Sequence, residues 1–290
     1  MANDEQVELL RQGYETWNQW RKAHSDEEID LSGADLRGMP LVQVNLARAN
    51  LRGANLSGVS LVGADLRGAN LGQYYFTLTN LQKADLRSAK FDGDTDLSAI
   101  VIDEETSLGD IQWNGVDLTV VDWEPVRQLG DEHNQKVFPE VAVRAYRQVA
   151  AQLRAQGMHE YADRFAYRAR VCRRKTLLKR RKFGAAIWSS CLDVLAGYGY
   201  YPKRCFVVYL VVNLCFAAIY FSIDTLSHRA VSPLSAFVLS ITSFHGRGFF
   251  PSNIPPDDPI VTVAAVQAFV GLVVEASLIA TFTDRYFGDR

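Results

Sequence analysis

The sequence predicts a multi-domain chain: a β-type solenoid, an α-helical hairpin linker, and an all-α pair of membrane spans with a re-entrant loop between them. Two observations carry this. Leu or Phe falls on every fifth residue for thirteen consecutive steps: Leu31, Leu36, Leu41 and onward in phase to Phe76, Leu81, Leu86 and Phe91. Helices repeat near 3.6 residues and strands at about 2, so a period of five marks a solenoid. Two long apolar stretches, 205–223 and 260–282, then close the chain.

Composition bounds the function. The 290 residues carry a net charge of −2, which argues neither for nor against nucleic acid. The average hides an asymmetry: Arg164 to Lys182 holds ten Lys or Arg and no acid, whereas over 29–123 acids outnumber bases thirteen to seven. Cys172, Cys191, Cys205 and Cys215 form no close Cys-x-x-Cys pair and read as small hydrophobes. The first thirty residues are polar and lack the apolar core of a signal peptide, so the solenoid is expected to stay in the cytosol.

The first element is an amphipathic capping helix within 1–28, with Val7, Leu9, Leu10, Tyr14, Trp17 and Trp20 on its apolar side. A solenoid end must be covered. The solenoid itself occupies 29–125. Two residues before most of its leucines stands an alanine (Ala34, Ala49, Ala54, Ala64, Ala69, Ala84, Ala89), with Asp or Asn between (Asp35, Asn50, Asn55, Asp65, Asn70, Asp85). Each side of the coil turns the Leu and the small residue inward. Met39, Val44, Val59, Tyr74 and Thr79 depart from Ala, and Tyr74-Tyr75-Phe76 is expected to widen or cap the coil locally. The phase slips at Asp94–Asp96, resumes at Leu97 and Ile102, and a last register runs through Leu118 and Trp123. This A-(D/N)-L-x-x frame resembles the pentapeptide-repeat family, which implies a right-handed four-sided β-helix. Some members of that family imitate DNA and block gyrase, but they do so with strongly acidic dimeric rods. This rod is only mildly acidic, and an interaction, assembly or spacer role is the simpler expectation.

Residues 134–182 read as a cytosolic helical hairpin. Val143, Tyr146, Val149, Ala150 and Leu153 recur at three and four, Gly157 breaks the run, and Tyr161, Phe165, Tyr167 and Val171 follow. The basic run Arg173, Arg174, Lys175, Lys179, Arg180, Arg181 and Lys182 extends the second helix. An interfacial segment, 183–204, comes next, with Phe183, Ile187, Trp188, Leu192 and Leu195 on one face and Lys203 and Arg204 at its end. Basic residues beside aromatics at a membrane boundary form an anchor for lipid headgroups, and no nucleic acid is expected.

The final domain is 205–290. Residues 205–223 carry no charge; at about 1.5 Å per residue they reach across a bilayer core, as do 260–282. Lys203 and Arg204 before the first span, and Arg285 and Arg290 after the second, place both termini in the cytosol by the positive-inside rule. Between the spans, Ser232 and Pro233 open a short apolar helix as N-cap and N1, followed by HGRGFF. Gly-rich backbone at membrane depth survives only when buried in protein or lining water, so several copies must surround an axis.

Span, short helix, Gly loop and span resemble the two-transmembrane pore domain of the potassium-channel superfamily. Gly197-Tyr198-Gly199-Tyr200-Tyr201-Pro202 and LIATFTDRYFG at 278–288 look like members that fuse pentapeptide repeats to that pore. The resemblance implies a homotetramer whose filter carbonyls strip water from potassium. Where the family has T-x-G-Y-G, this chain reads Thr242, Ser243, Phe244, His245, Gly246, Arg247 and Gly248. An Arg ring favours anions, or a wide non-selective or closed pore; alternatively Arg247 points behind the loop to Asp257, Asp258 or Glu275. Glu275, Ser277 and Thr281 are expected to line the inner path or a subunit contact, Asn213 to bond between helices, and His245 to confer pH sensitivity.

No nucleophile–base pair, P-loop or dinucleotide fingerprint appears, so no enzyme activity and no cofactor are expected. His24, His133, His159 and His228 lack ligand spacing, so no metal is expected either. The sequence thus predicts a two-pass protein of the plasma or inner membrane, a pore-loop ion channel with a cytosolic pentapeptide-repeat domain. Its expected partners are further copies of itself, membrane lipids, permeant ions of a type left open, and a cytosolic protein on the solenoid. The alternative is a membrane-anchored scaffold or sensor that does not conduct.

Overall fold

The computed structural model describes residues 2–73, 78–133, 139–226, 232–246, 255 and 258–287. The chain divides into two compact units, Met1–Lys182 and Phe183–Arg290.

In the first unit, single-residue parallel bridges join positions twenty apart: Asp30 with Asn50, Asn45 with Asp65, Asn50 with Asn70, Asp65 with Asp85. Four five-residue sides therefore make one coil of a β-helix. Among the described residues no longer strand forms, because each side holds one extended residue between two turns. In most repeats that residue is the Asp or Asn, with Ser60 and Lys90 in the same role. Asn50 N–H donates to Ile29 O and Leu31 N–H to Asn50 O, both at 2.8 Å. At the corner, Ala34 N–H donates back to Leu31 O at 3.1 Å, with the third turn residue left-handed: Gly33 at φ +71°, or Arg48 at +62°. The Asp/Asn side chain stabilises the corner by accepting from the N–H two residues on, as Asp65 Oδ1 does from Arg67 at 3.2 Å. Arg67 then grips the same carboxylate through Nε and a terminal nitrogen at 2.8 and 2.6 Å, and Arg37 grips Asp35 likewise.

The inward positions are sealed. Every repeat leucine from Leu31 to Leu71 is fully buried, as are Ala49, Ala54 and Ala69 beside them. Met39, Val44 and Val59 replace Ala and stay buried. Thr79 is buried too, and its hydroxyl donates to Leu56 O at 3.1 Å. The expectation for Tyr74-Tyr75-Phe76 lies outside the described residues. Past Lys90 the coil lengthens: Asn80 bridges Val101, Asp85 bridges Ser107, and Lys90 bridges Gln112. The extra residues are held by two Asp-x-x-Thr corners. Thr95 and Thr106 take the small inward position and donate to Leu71 O and Leu81 O, each at 3.1 Å.

Both ends of the β-helix are closed by side chains that pair with its backbone edge. At the start, the sequence suggested one helix, but two form: α1 (Asp4–Arg11) and α2 (Tyr14–Ala23). Gly13 between them stands at φ +106°, a conformation that breaks the helix and favours glycine. Leu10 and Trp17 are fully buried. Trp17 Nε1 donates to Asn45 O at 2.8 Å, and Asn18 accepts from Asn45 N–H at 2.7 Å while donating to Gln43 O at 2.9 Å.

At the far end stand α3 (Gly130–His133), α4 (Pro139–Ala155) and α5 (His159–Lys179). Gly157 turns the α4–α5 hairpin at φ +80°. Although its sequence reads as a linker, the hairpin shares one apolar core with the solenoid. The reason is the exposed edge at 116–118. Gln156 satisfies it, accepting from Leu118 N–H at 2.7 Å and donating to Val116 O at 2.8 Å. The Phe165 ring meets Trp123 edge-on, with centroids 5.7 Å apart. Tyr146 OH donates to Glu132 at 2.7 Å and accepts from Leu129 N–H at 3.0 Å.

The second unit is helical: α6 (Phe183–Ala196), a tight turn at Gly197–Gly199, α7 (Pro202–Leu226), α8 (Pro233–Phe244) and α9 (Pro259–Phe287). Two stretches, Arg204–Ile223 of α7 and Pro259–Ile279 of α9, are long and apolar enough to cross a membrane. Only 17% and 28% of them is buried within the protein. Phe206, Leu214, Phe269 and Leu272 are all more than half exposed, so large apolar faces of both helices await a partner or a lipid.

Candidate pore-loop site

The site is built around α8, the short helix between the two long ones. Ser232 caps it with extended backbone (ψ 150°), and its hydroxyl accepts from Ser235 N–H at 3.2 Å, with Pro233 at the first helical position. Twelve residues at about 1.5 Å each reach roughly 18 Å, too short to span.

A buried polar knot ties α8 to both neighbours. Gln267 of α9 donates to Ser240 O at 2.9 Å and Ser240 Oγ at 2.7 Å, and accepts from Tyr220 OH of α7 at 2.8 Å. Ser240 Oγ donates to Asn213 O of α7 at 2.8 Å. Asn213, Tyr220, Ser240 and Gln267 are all fully buried. In so apolar a bundle each of these groups needs its partner, so the knot fixes the register of three helices at once. Below it the backbones nearly touch. A Cβ added to Gly271 would lie 1.9 Å from Phe244 O, so only glycine lets the end of α8 reach α9.

The end of α8 carries the loop residues singled out by sequence. Thr242 turns its hydroxyl to Val238 O and Leu239 O of its own helix, both at 3.0 Å. Ser243 and Phe244 are buried, and the Phe244 ring meets Tyr209 edge-on at 5.0 Å. His245 ends the helix, and Gly246 follows at φ +68°. His245 links the two long helices: its Nδ1 is 2.6 Å from Glu275 Oε1 on α9, and its Nε2 is 3.3 Å from Tyr209 OH on α7. Arg247, Gly248 and Asp257 lie outside the described residues, as does the side chain of Thr281. Asp258 caps α9 by accepting from Ile260 N–H at 3.0 Å, and Ser277 donates to Val273 O within α9 at 2.7 Å.

The expected anchor residues divide. Lys175 pairs with Glu132 at 2.6 Å and Arg180 pairs with Glu140. Arg174 and Lys179 make further contacts of their own. Arg181 takes a left-handed corner at φ +55°, and Arg204 stacks 4.5 Å from the Tyr201 ring centroid. Arg173 and Lys182 line an open groove, and the Lys203 side chain is not described. Sequence reasoning missed Tyr209, Tyr220, Ser240 and Gly271, and gave Gln267 no role. The available signal was an uncharged amide and a glycine inside a long apolar helix. Among the described residues no three His, Cys, Asp or Glu side chains gather as a metal site.

The pentapeptide-repeat family model matches residues 29–73 and 60–93, in eight copies. Residues 29–93 are pentapeptide repeats. Among solved structures, the chain is similar to the pentapeptide repeat protein Rfr23 of the cyanobacterium Cyanothece 51142, at 28% identity over 30% of this chain and 66% of that one (TM-score 0.15). It is similar to a pentapeptide repeat protein of the Arabidopsis thaliana thylakoid lumen at 31% identity over 28% and 66% (TM-score 0.11). It is also similar to QnrB1, a plasmid-mediated fluoroquinolone resistance protein, at 19% identity over 44% and 63% (TM-score 0.22). The chain spans just under two thirds of the length of each. No curated protein matches the chain.

Proposed function

We propose that this protein is a pore-loop ion channel, assembled from four copies in the plasma or inner membrane, with its pentapeptide repeats in the cytosol. One observation carries the reading: a helix too short to span is locked between two span-length apolar helices by a fully buried polar knot. Such an element, ending in Gly-containing backbone, is tolerated at membrane depth only around a shared aqueous axis. The apolar faces left open on α7 and α9 then meet lipid and neighbouring copies. In this reading the constriction is drawn from residues 242–248, of which 247 and 248 lie outside the described residues, and Glu275, bonded to His245, braces it from α9.

Arg247 stands where the potassium-channel superfamily that the sequence resembles carries the filter tyrosine, so the proposed pore is not a classical potassium filter. The same residue motivates the second reading, a non-conducting membrane-anchored scaffold. Recording from purified full-length protein in planar bilayers, with gradients of KCl, NaCl and potassium gluconate, separates the two. Unitary currents with a measurable reversal potential support the channel. Silence under every gradient, in wild type and in Arg247→Gly, supports the scaffold.

A further inference from the structure

The C-terminal cap of the β-helix carries a feature that conduction does not use and that a linear basic anchor explains only in part. A groove of about 760 Å³ opens between α4 and the end of α5, lined by Arg144, Arg147, Arg173, Arg180 and Lys182 against the single acid Glu140. Arg180 pairs with Glu140, and Arg144 reaches Asp110 at 3.6 Å. Arg147, Arg173 and Lys182 have no carboxylate partner among the described residues. Five cations less two carboxylates leave an excess of three. Across distances comparable to the Debye length of about 8 Å at physiological salt, that excess repels itself and favours a bound anion.

We infer that this groove binds a phosphate-rich anion, either a free polyphosphate compound or the headgroup of an anionic lipid. Guanidinium forks match phosphate oxygens in paired hydrogen bonds, and four of the five cations are arginines. The volume lies within the usual range of small-ligand sites, roughly 300–1,000 Å³. Val141 and Leu177 supply apolar wall between the charges. A second groove of about 450 Å³ shares Val141, but there Arg48, Arg67 and Arg87 stand with Asp110, and Arg67 and Arg87 are paired with Asp65 and Asp85, so the excess charge is confined to the first groove. The site draws Arg173, Arg180 and Lys182 from the basic run but is not that run as a linear anchor: Lys175 of the run is committed to Glu132, whereas Arg144 and Arg147 come from α4, outside it. The inference is independent of conduction, because it is read by binding alone.

The test uses the full-length chain in detergent micelles and titrates it calorimetrically with sodium tripolyphosphate, then with dioctanoyl phosphatidylglycerol and dioctanoyl phosphatidylcholine. The groove variant is Arg147→Glu with Arg173→Glu. Both positions are exposed, so the fold is retained; the milder pair Arg147→Gln with Arg173→Gln repeats the test without charge reversal. Saturable tripolyphosphate binding that weakens at least tenfold in the groove variants, but persists in Arg52→Glu outside the groove, supports the site and a free polyphosphate source. The same pattern with phosphatidylglycerol but not phosphatidylcholine assigns a lipid headgroup. Binding of neither anion, or binding equal in wild type and both groove variants, overturns the inference.

Discussion

The β-helix and the C-terminal helical unit satisfy their polar groups in opposite ways. The solenoid spreads the task over many equivalent bridges: successive coils repeat the pairing that Asn50 makes below and above, and most corners repeat an Asp/Asn bond. The helical unit concentrates it in one knot of Asn213, Tyr220, Ser240 and Gln267. Damage to a distributed system stays with neighbouring coils, since each repeat touches only the next. Damage to a concentrated one reaches every helix that the knot joins.

The largest effect is expected from Gly271→Val. Its side chain would enter the carbonyl of Phe244, and backbone has no way to yield without shifting α8. Loss of about 3 kcal/mol or more is expected, read as raised hydrogen exchange across 205–226, 233–246 and 259–279 together. Leu61→Ala in the solenoid removes a fully buried side chain and is expected to cost about 3 kcal/mol as well, but with exchange raised only in the coils next to it. If exchange instead rose throughout the β-helix, the distributed picture would fail. Gln267→Leu keeps the volume and removes the hub. About 2 kcal/mol is expected, because Tyr220 and Ser240 lose a partner inside an apolar bundle.

An effect of opposite sign, confined to one pH range, belongs to a buried carboxyl at the solenoid's C-terminal end. Burial pushes Asp131 up to about 6, although it accepts from Leu108 N–H at 2.7 Å and feels Arg87. The folded protein therefore holds this proton more tightly than the unfolded chain. The contribution of Asp131 is fully present below the unfolded value of 3.8 and is lost as pH rises through about 6. Asp131→Asn is expected to be more stable than wild type at pH 7 by roughly 3 kcal/mol, with the difference shrinking to a fraction of that near pH 4. Denaturant titrations at the two pH values check it; equal midpoints at pH 7 would contradict the assignment.

The sequence was most legible where one residue type has one physical job. Repeat leucines and alanines turned inward as their spacing demands, and the Asp/Asn positions became both the bridge and the corner bond. Thr95 and Thr106 were less legible. They hold the longer coils by hydroxyl bonds to the coil below, a relation of residues 24 and 25 apart. Gly13 was visible as a residue but not as a break. The α4–α5 hairpin showed its apolar face but not what would cover it, because periodicity names a face and not its partner. For the same reason Gln267, within the second apolar stretch, could not be matched to Ser240 and Tyr220, 27 and 47 residues away. The groove arginines were obscured by the basic run, since Arg144 and Arg147 lie outside it.

The account rests on α8 lying inside the bilayer, within an assembly. Imaging of the full-length protein in lipid nanodiscs reads this directly. Four copies around one axis are expected, with residues 233–246 at membrane depth and facing that axis. Single copies, or an assembly that carries 233–246 wholly outside the bilayer, would contradict it.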